Sequence, residues 1–147
     1  LPIYTKNDQI ASHVADSSNG AIIKKIRFLG KAAHAGSIPQ LGINALNAAN
    51  LAMTAIALQR ETFYDEDTIR IHPIITKGGD SVSAVPAEVI IETFVRGKTL
   101  EGIIDANAKV DMAVKGPAMA IGATDDIETT PGYLPHTHNR AMSAPRG

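Results

Sequence analysis

The chain has 147 residues, 44% of them hydrophobic, with a formal net charge of -1 and no cysteine. That length fits one domain with room for a real core, and the near-neutral balance gives no electrostatic reason to expect nucleic acid or an anionic membrane as partner. Disulfides, thiolate metal sites and cysteine nucleophiles are excluded, while the compartment stays open on this ground.

No apolar run approaches the ~18 residues of a membrane span, and the polar opening LPIYTKNDQI lacks the hydrophobic stretch of a signal peptide. Residues 1–20 carry turn formers (Asn7, Asp8, Asp16, Ser17, Ser18, Asn19, Gly20) and read as a lead-in, in which His13 reads as a surface residue. The chain starts at Leu1 and closes on RAMSAPRG, so it is expected to be a piece of a longer protein.

Ala21 to Leu29 alternates as a strand, with Ile22, Ile26 and Phe28 on one face and Lys25 and Arg27 on the other. Lys24, Lys25 and Arg27 form the one dense basic cluster and read as a solvated strand face. From Gly42 to Arg60 the apolar positions Leu46, Ala49, Met53, Ile56 and Ala57 recur at helical spacing, among good helix formers. The acidic stretch Asp65, Glu66, Asp67 lacks the glycine and spacing of a calcium loop and reads as a solvated connection.

Thr68 to Ile75 alternates again, with Ile69, Ile71 and Ile75 on one side and Arg70 and His72 on the other. Pro73 cannot donate a ladder bond, which predicts an edge strand. Gly78-Gly79 permits a tight reversal, and a strand follows from Ala87 to Val95 or Arg96. Thr99 can cap a second helix, with Leu100, Ile103, Ile104, Val110 and Val114 as its stripe and Gly116-Pro117 as its expected end. A short strand around Asp126 to Thr130 runs into PGYLP. The order strand, helix, strand, strand, helix, strand predicts an α+β, ferredoxin-like fold: a four-stranded antiparallel sheet with both helices on one face.

No His-Glu-x-x-His helix, P-loop, dinucleotide glycine fingerprint or Gly-x-Ser-x-Gly elbow occurs. Polar residues at the ends of elements remain. His34 stands among small residues in GKAAHAGSIPQLG, where an imidazole could reach out of its own domain, donate to a developing oxyanion or shuttle a proton; a helix-capping or loop histidine is the plainer alternative. GGDSVSAVP holds Gly78, Gly79 and Ser83. Arg96 closes a strand on the face opposite Val95, and its planar fork suits a carboxylate. His136 and His138 have the spacing of two imidazoles on one side of a strand, but with no third ligand nearby they read as loop rather than metal site.

The segments FLGKAAHAGSIPQLGINALNAA, ITKGGDSVSAVPAE, VRG and AIGATDDIETTPGYLP, in this order, resemble the lid, or dimerisation, domain of the dinuclear-metal aminoacylase and carboxypeptidase family. That family includes acetylornithine deacetylase and the N-carbamoyl-amino-acid, aminobenzoyl-glutamate and indole-acetyl-amino-acid hydrolases. The resemblance covers roughly residues 21–135, with 136–147 as a tail returning to the catalytic domain.

It implies a domain inserted in a larger, cytoplasmic, metal-dependent amidohydrolase or peptidase that cleaves an amide bond in an N-acyl amino acid or small peptide. His34 would enter the partner protomer's site and steady the tetrahedral intermediate. Arg96 would grip the substrate carboxylate, and Ser83 with Gly78 and Gly79 would shape the pocket. Ser83 stands where the family pattern has asparagine, a departure that removes an amide's extra donor and acceptor.

The resemblance also implies a homodimer through edge strand 68–75 and helix 42–60. Two divalent metal ions, zinc with manganese or cobalt as alternatives, would belong to the missing catalytic domain, and no metal ligand is assigned in this chain, which alone is expected to be inactive. The rival expectation is a free-standing ferredoxin-like module that binds a small ligand or a protein without hydrolase activity; a structural descendant of the hydrolase lid is a third.

Overall fold

A computed structural model describes residues 19–135. Most of the expected lead-in over 1–20, the tail over 136–147, and His13, His136 and His138 lie outside the described residues. The elements run β1 (Gly20–Leu29), α1 (Ala45–Leu58), β2 (Arg70–Ile71), β3 (Ile74–Lys77), β4 (Glu88–Gly97), α2 (Leu100–Ile121) and β5 (Thr124–Tyr133). This is the expected α+β order, except that the edge strand comes in two pieces.

β4 and β1 are the central strands, with β5 on the outer side of β1 and β2 and β3 both along the free side of β4; every pairing is antiparallel. The break falls at His72-Pro73. Proline brings no N–H to the ladder, and the His72 N–H donates to the Thr93 hydroxyl at 3.2 Å instead of to a backbone carbonyl.

Both helices lie against one face of the sheet. Ile26, Phe28, Val89, Ile91 and Val95 supply the sheet side of the core, and Ala45, Ala48, Ala49, Ala52 and Ile56 the face of α1. The stripe expected on α1 is thus displaced toward alanines: Ala49 and Ile56 are buried, Leu46 and Met53 only half so, and Ala57 is exposed. Small residues let the helix backbone approach the sheet, and the strand side chains carry most of the hydrophobic gain, at ~1.5–3 kcal/mol for each fully buried valine, isoleucine or phenylalanine. The helix starts at Ala45 rather than Gly42 because Asn44 caps it, its side-chain oxygen accepting from the N–H groups of Leu46 at 2.9 Å and Asn47 at 3.1 Å.

α2 runs past its expected end at Gly116-Pro117. Pro117 sits inside the helix on its buried side, next to buried Ala118, and the stop comes at Gly122. There the left-handed φ of 86° suits glycine, and its N–H donates back to Ala118 and Met119. β5 also exceeds the expected 126–130, because β1 offers it a partner along nearly its whole length.

Two polar expectations are corrected. Lys24 does not belong to a solvated face: it is fully buried, on the same side as Ile22, Ile26 and Phe28. Its ammonium donates to Asn107 Oδ1 (2.7 Å), Asp111 Oδ1 (2.6 Å) and Thr129 Oγ1 (2.7 Å), so its three donors all find acceptors between the sheet and α2. Asp67 is likewise buried rather than part of a solvated connection. It accepts from the Thr99 hydroxyl at 3.0 Å beside the first turn of α2, where a carboxylate complements the helix dipole.

Candidate functional site

The fold gathers two loops beyond the C-terminal end of β1. The Lys31 and Ile43 backbones exchange bonds of 2.9 Å, which closes the intervening residues into a loop at the foot of α1. That loop is tied to the segment before β4: the Ala35 N–H donates to the Ser83 carbonyl and the Val85 N–H to the Ala33 carbonyl, both at 2.9 Å. These bonds bracket His34, which stands opposite Ala84 in an isolated antiparallel bridge.

The imidazole itself is exposed. Its Nδ1 accepts from the Gly36 N–H at 3.2 Å. With Nδ1 accepting, the ring hydrogen sits on Nε2, so a donor is left for another group. Small neighbours serve the loop as well as any incoming surface: a Cβ on Gly42 would lie 2.9 Å from the Lys31 carbonyl oxygen and 3.1 Å from Ala33 Cβ and Val85 Cγ1.

Ser83 is brought beside His34 by backbone pairing, but its hydroxyl turns to Ser81, Oγ to Oγ 2.7 Å, and its N–H donates to the same Ser81 oxygen at 3.0 Å. Both serines are exposed. Nothing in the motif singles out Ser81, whose part emerges only from this contact. Gly79 adopts φ 134° as the chain turns toward this segment, with Pro86 3.1 Å from where a Cβ would sit; Gly78 is exposed on the same turn.

Arg96 is not part of this group. β1 and β4 are antiparallel with Leu29 opposite Glu88 and Ala21 opposite Arg96, so Arg96 lies at the far end of the sheet from the His34 loop. The strand from Glu88 to Arg96 alone spans ~26 Å at about 3.3 Å per residue. One copy of this domain therefore does not bring His34 and Arg96 to the same small molecule. Arg96 is half-buried on the face away from the helices, 4.6 Å over the Phe94 ring.

The strands that lead into and out of the domain meet at this same end: Ala21 is opposite Tyr133, and Gly20 lies against Pro135. Arg70, on β2, stands directly across from Arg96.

At the His34 end, the open face carries an ion-paired ladder. Glu88 accepts from Arg27 Nε at 2.6 Å and from Lys77 Nζ at 2.9 Å, and Arg27 also reaches Asp126 at 3.4 Å. The hydrogen bond from Lys77, and then that from Arg27, holds the Glu88 carboxyl below its ordinary pKa, while the bond to Glu88 raises Lys77 above that of a free lysine. Among the described residues no group of three or more His, Cys, Asp or Glu side chains could hold a metal ion, and no helix is long and apolar enough to cross a membrane.

An antiparallel sheet with a broken outer edge, two helices on one face and an exposed loop histidine defines a small α+β domain of the ferredoxin-like class, with one sheet face and, among the described residues, both sheet edges unpaired. The chain belongs to the peptidase dimerisation domain family, whose profile matches residues 17–116. It is 32% identical over 104 residues to a Xaa-Arg dipeptidase of Mus musculus, an alignment covering 71% of this chain and 24% of that protein. A p-aminobenzoyl-glutamate hydrolase homolog of Haemophilus influenzae is 37% identical over 73 residues, 50% of this chain and 17% of that one. Among solved structures, a hydantoinase/carbamoylase family amidase from Burkholderia multivorans superposes with a TM-score of 0.72 at 20% identity, over 86% of this chain and 31% of that one. The chain thus spans about a quarter of the mouse relative's length.

Proposed function

We propose that this domain is the lid of a metal-dependent amidohydrolase or peptidase, and that it completes sites built mainly by a catalytic domain elsewhere in the same polypeptide. The observation that carries this reading is the anchored but exposed His34. Backbone bonds on both sides fix its position, Gly36 fixes its tautomer, and its Nε2–H is left to meet an oxyanion as an amide carbonyl becomes tetrahedral. In this role His34 binds and stabilises charge. The two divalent metal ions, held by the catalytic domain, would activate the attacking water.

The separation of His34 from Arg96 gives the reading its geometry. Arg96 lies at the end where the domain's first and last strands meet, and so faces the catalytic domain of its own chain, where its guanidinium binds the substrate carboxylate. His34 lies at the far end and serves a second copy. Two copies related by a two-fold axis, paired through helix 42–60 and the unpaired edge 68–75, supply each site with one residue of each kind. Gly78, Gly79 and Ser83 shape the pocket wall beside His34, with Ser83 as hydroxyl donor where the family pattern has an amide.

Substrates of this class are N-acyl amino acids or small peptides. The names of the relatives differ in the amino acid released, arginine in one and glutamate in another. The test is to join the domain to its catalytic domain and replace His34→Ala. Turnover per metal site is expected to fall by about two orders of magnitude, the cost of one oxyanion donor; unaltered turnover removes the proposal.

A further inference from the structure

In the ladder between β2 and β4, Arg70 and Arg96 are direct cross-strand partners. Residues so placed project on one face with Cβ atoms ~5 Å apart, and like charges there repel. No carboxylate of the described residues lies within ion-pair distance of either guanidinium, whereas Arg27 and Lys77 on the same sheet face share Glu88. Phe94 supports the Arg96 fork without adding charge. The row continues across the sheet through Ala21, whose methyl sets little bulk between Arg96 and Tyr133. An unfavourable pairing of two cations, flanked by a small residue and a phenol, is complementary to a ligand with two negative charges.

We propose that Arg70 joins Arg96 in a clamp for a dicarboxylate, one carboxylate to each guanidinium, so that the amino acid held at this end of the sheet is an acidic one. This rests on the reading that Arg96 faces substrate and adds Arg70 as the residue that sets side-chain specificity. An arginyl or lysyl group would meet two like charges in the same patch.

The test uses the 147-residue chain and glutarate as probe, with butyrate and free arginine for comparison, following the arginine Nε–H signals by NMR. Saturable shifts at Arg70 and Arg96 with glutarate, weaker binding of butyrate and none of arginine are expected. Arg70→Gln should weaken glutarate about tenfold, the scale of one charge-assisted hydrogen bond, and erase its advantage over butyrate. Lys115→Gln, which removes an exposed cation on α2 near the opposite end of the sheet, should change nothing. The clamp is overturned if glutarate moves neither signal at tens of millimolar, if arginine binds as well, or if Lys115→Gln weakens binding as much as Arg70→Gln. None of the three probes is turned over, so a His34→Ala enzyme of full activity would remove the lid mechanism and leave this result standing.

Discussion

The Lys24 ammonium lies 2.6 Å from the Asp111 carboxylate beneath α2, with the lysine fully buried and the aspartate side chain about one-third exposed (32%). This asymmetry makes the two partners unequal when one is removed. Asp111→Ala leaves a charge sealed in the core with only the neutral acceptors Asn107 and Thr129, whereas Lys24→Met leaves a carboxylate that water can reach. Deleting one partner of a buried pair costs about 3–5 kcal/mol when the orphan stays buried. Asp111→Ala is therefore expected to cost ~3 kcal/mol and Lys24→Met about half that, both read as shifts in urea midpoint at constant m-value. Equal losses would show that the pair's burial is not what matters.

A second prediction concerns the start of α2. Gly102 N–H donates to the capping Thr99 hydroxyl at 3.0 Å, and a Cβ at Gly102 would lie 2.6 Å from Asp67 Cγ and 2.8 Å from its Oδ2. Alanine is the better helix former by ~1 kcal/mol, yet here it drives a methyl into a buried carboxylate, and overpacking costs of order 1–3 kcal/mol. Gly102→Ala should destabilise the domain by roughly 1 kcal/mol. Combining it with Asp67→Ala should cost less than the sum of the single changes, because the two nearest colliding atoms are gone and only the Cβ at position 67, 2.9 Å away, remains. Additive losses would refute the collision.

The Glu88 ladder predicts how stability depends on pH. The folded pKa of Glu88 is depressed, so its contribution is present above the unfolded carboxylate value of about 4.3 and is lost as pH falls through the lower folded value. Lys77 is raised, so its share is present below the ordinary lysine value of about 10.4 and is lost as pH climbs through the higher folded value. Both side chains are more than one-third accessible to water, at 38% for Lys77 and 34% for Glu88, which keeps the effect small. Glu88→Gln should flatten the acid limb of a stability profile and Lys77→Met the alkaline limb, measured by thermal unfolding at low salt; unchanged limbs would mean the ladder is fully screened.

The element order is legible because each segment carries a clean period, and Pro73 alone announces the edge. The alternation of Lys24 with Ile22, Ile26 and Phe28 points it inward, but nothing nearby in the sequence explains how a cation survives there, because its acceptors come from α2 and β5, 83 to 105 positions away. Asp67 hides in the same way: its partner Thr99 is 32 positions on, across the whole of β2 to β4. The end of α2 is misplaced by its glycine and proline because a proline late in a helix loses one bond without losing the buried contacts of Ala118 beyond it. His34 and Ser83 both stand out as residues, but their adjacency rests on loop pairing. The distance from His34 to Arg96 follows from the antiparallel register of β1 and β4, and a series of motifs carries no register. The sequence puts Arg70 on a strand face without the partner that gives it meaning.

The division of labour between copies can be tested by mixing. In the enzyme joined to its catalytic domain, His34→Ala protomers would lack the proposed oxyanion donor and Arg96→Gln protomers the proposed carboxylate clamp, so homodimers of either kind should be nearly inactive. In a mixed dimer, the site built on the His34→Ala chain keeps its own Arg96 and borrows His34 from the Arg96→Gln chain, and so has both groups. The other site has neither. Random reassortment of equal amounts yields half mixed dimers with half their sites intact, hence about one quarter of wild-type activity. If both residues came from the same copy, every site in the mixture would lack one of them and no activity would return. Recovery after co-refolding, absent when the two mutants are mixed without exchange of protomers, would thus place His34 and Arg96 of each working site on different chains, the arrangement we propose from their positions at opposite ends of the sheet.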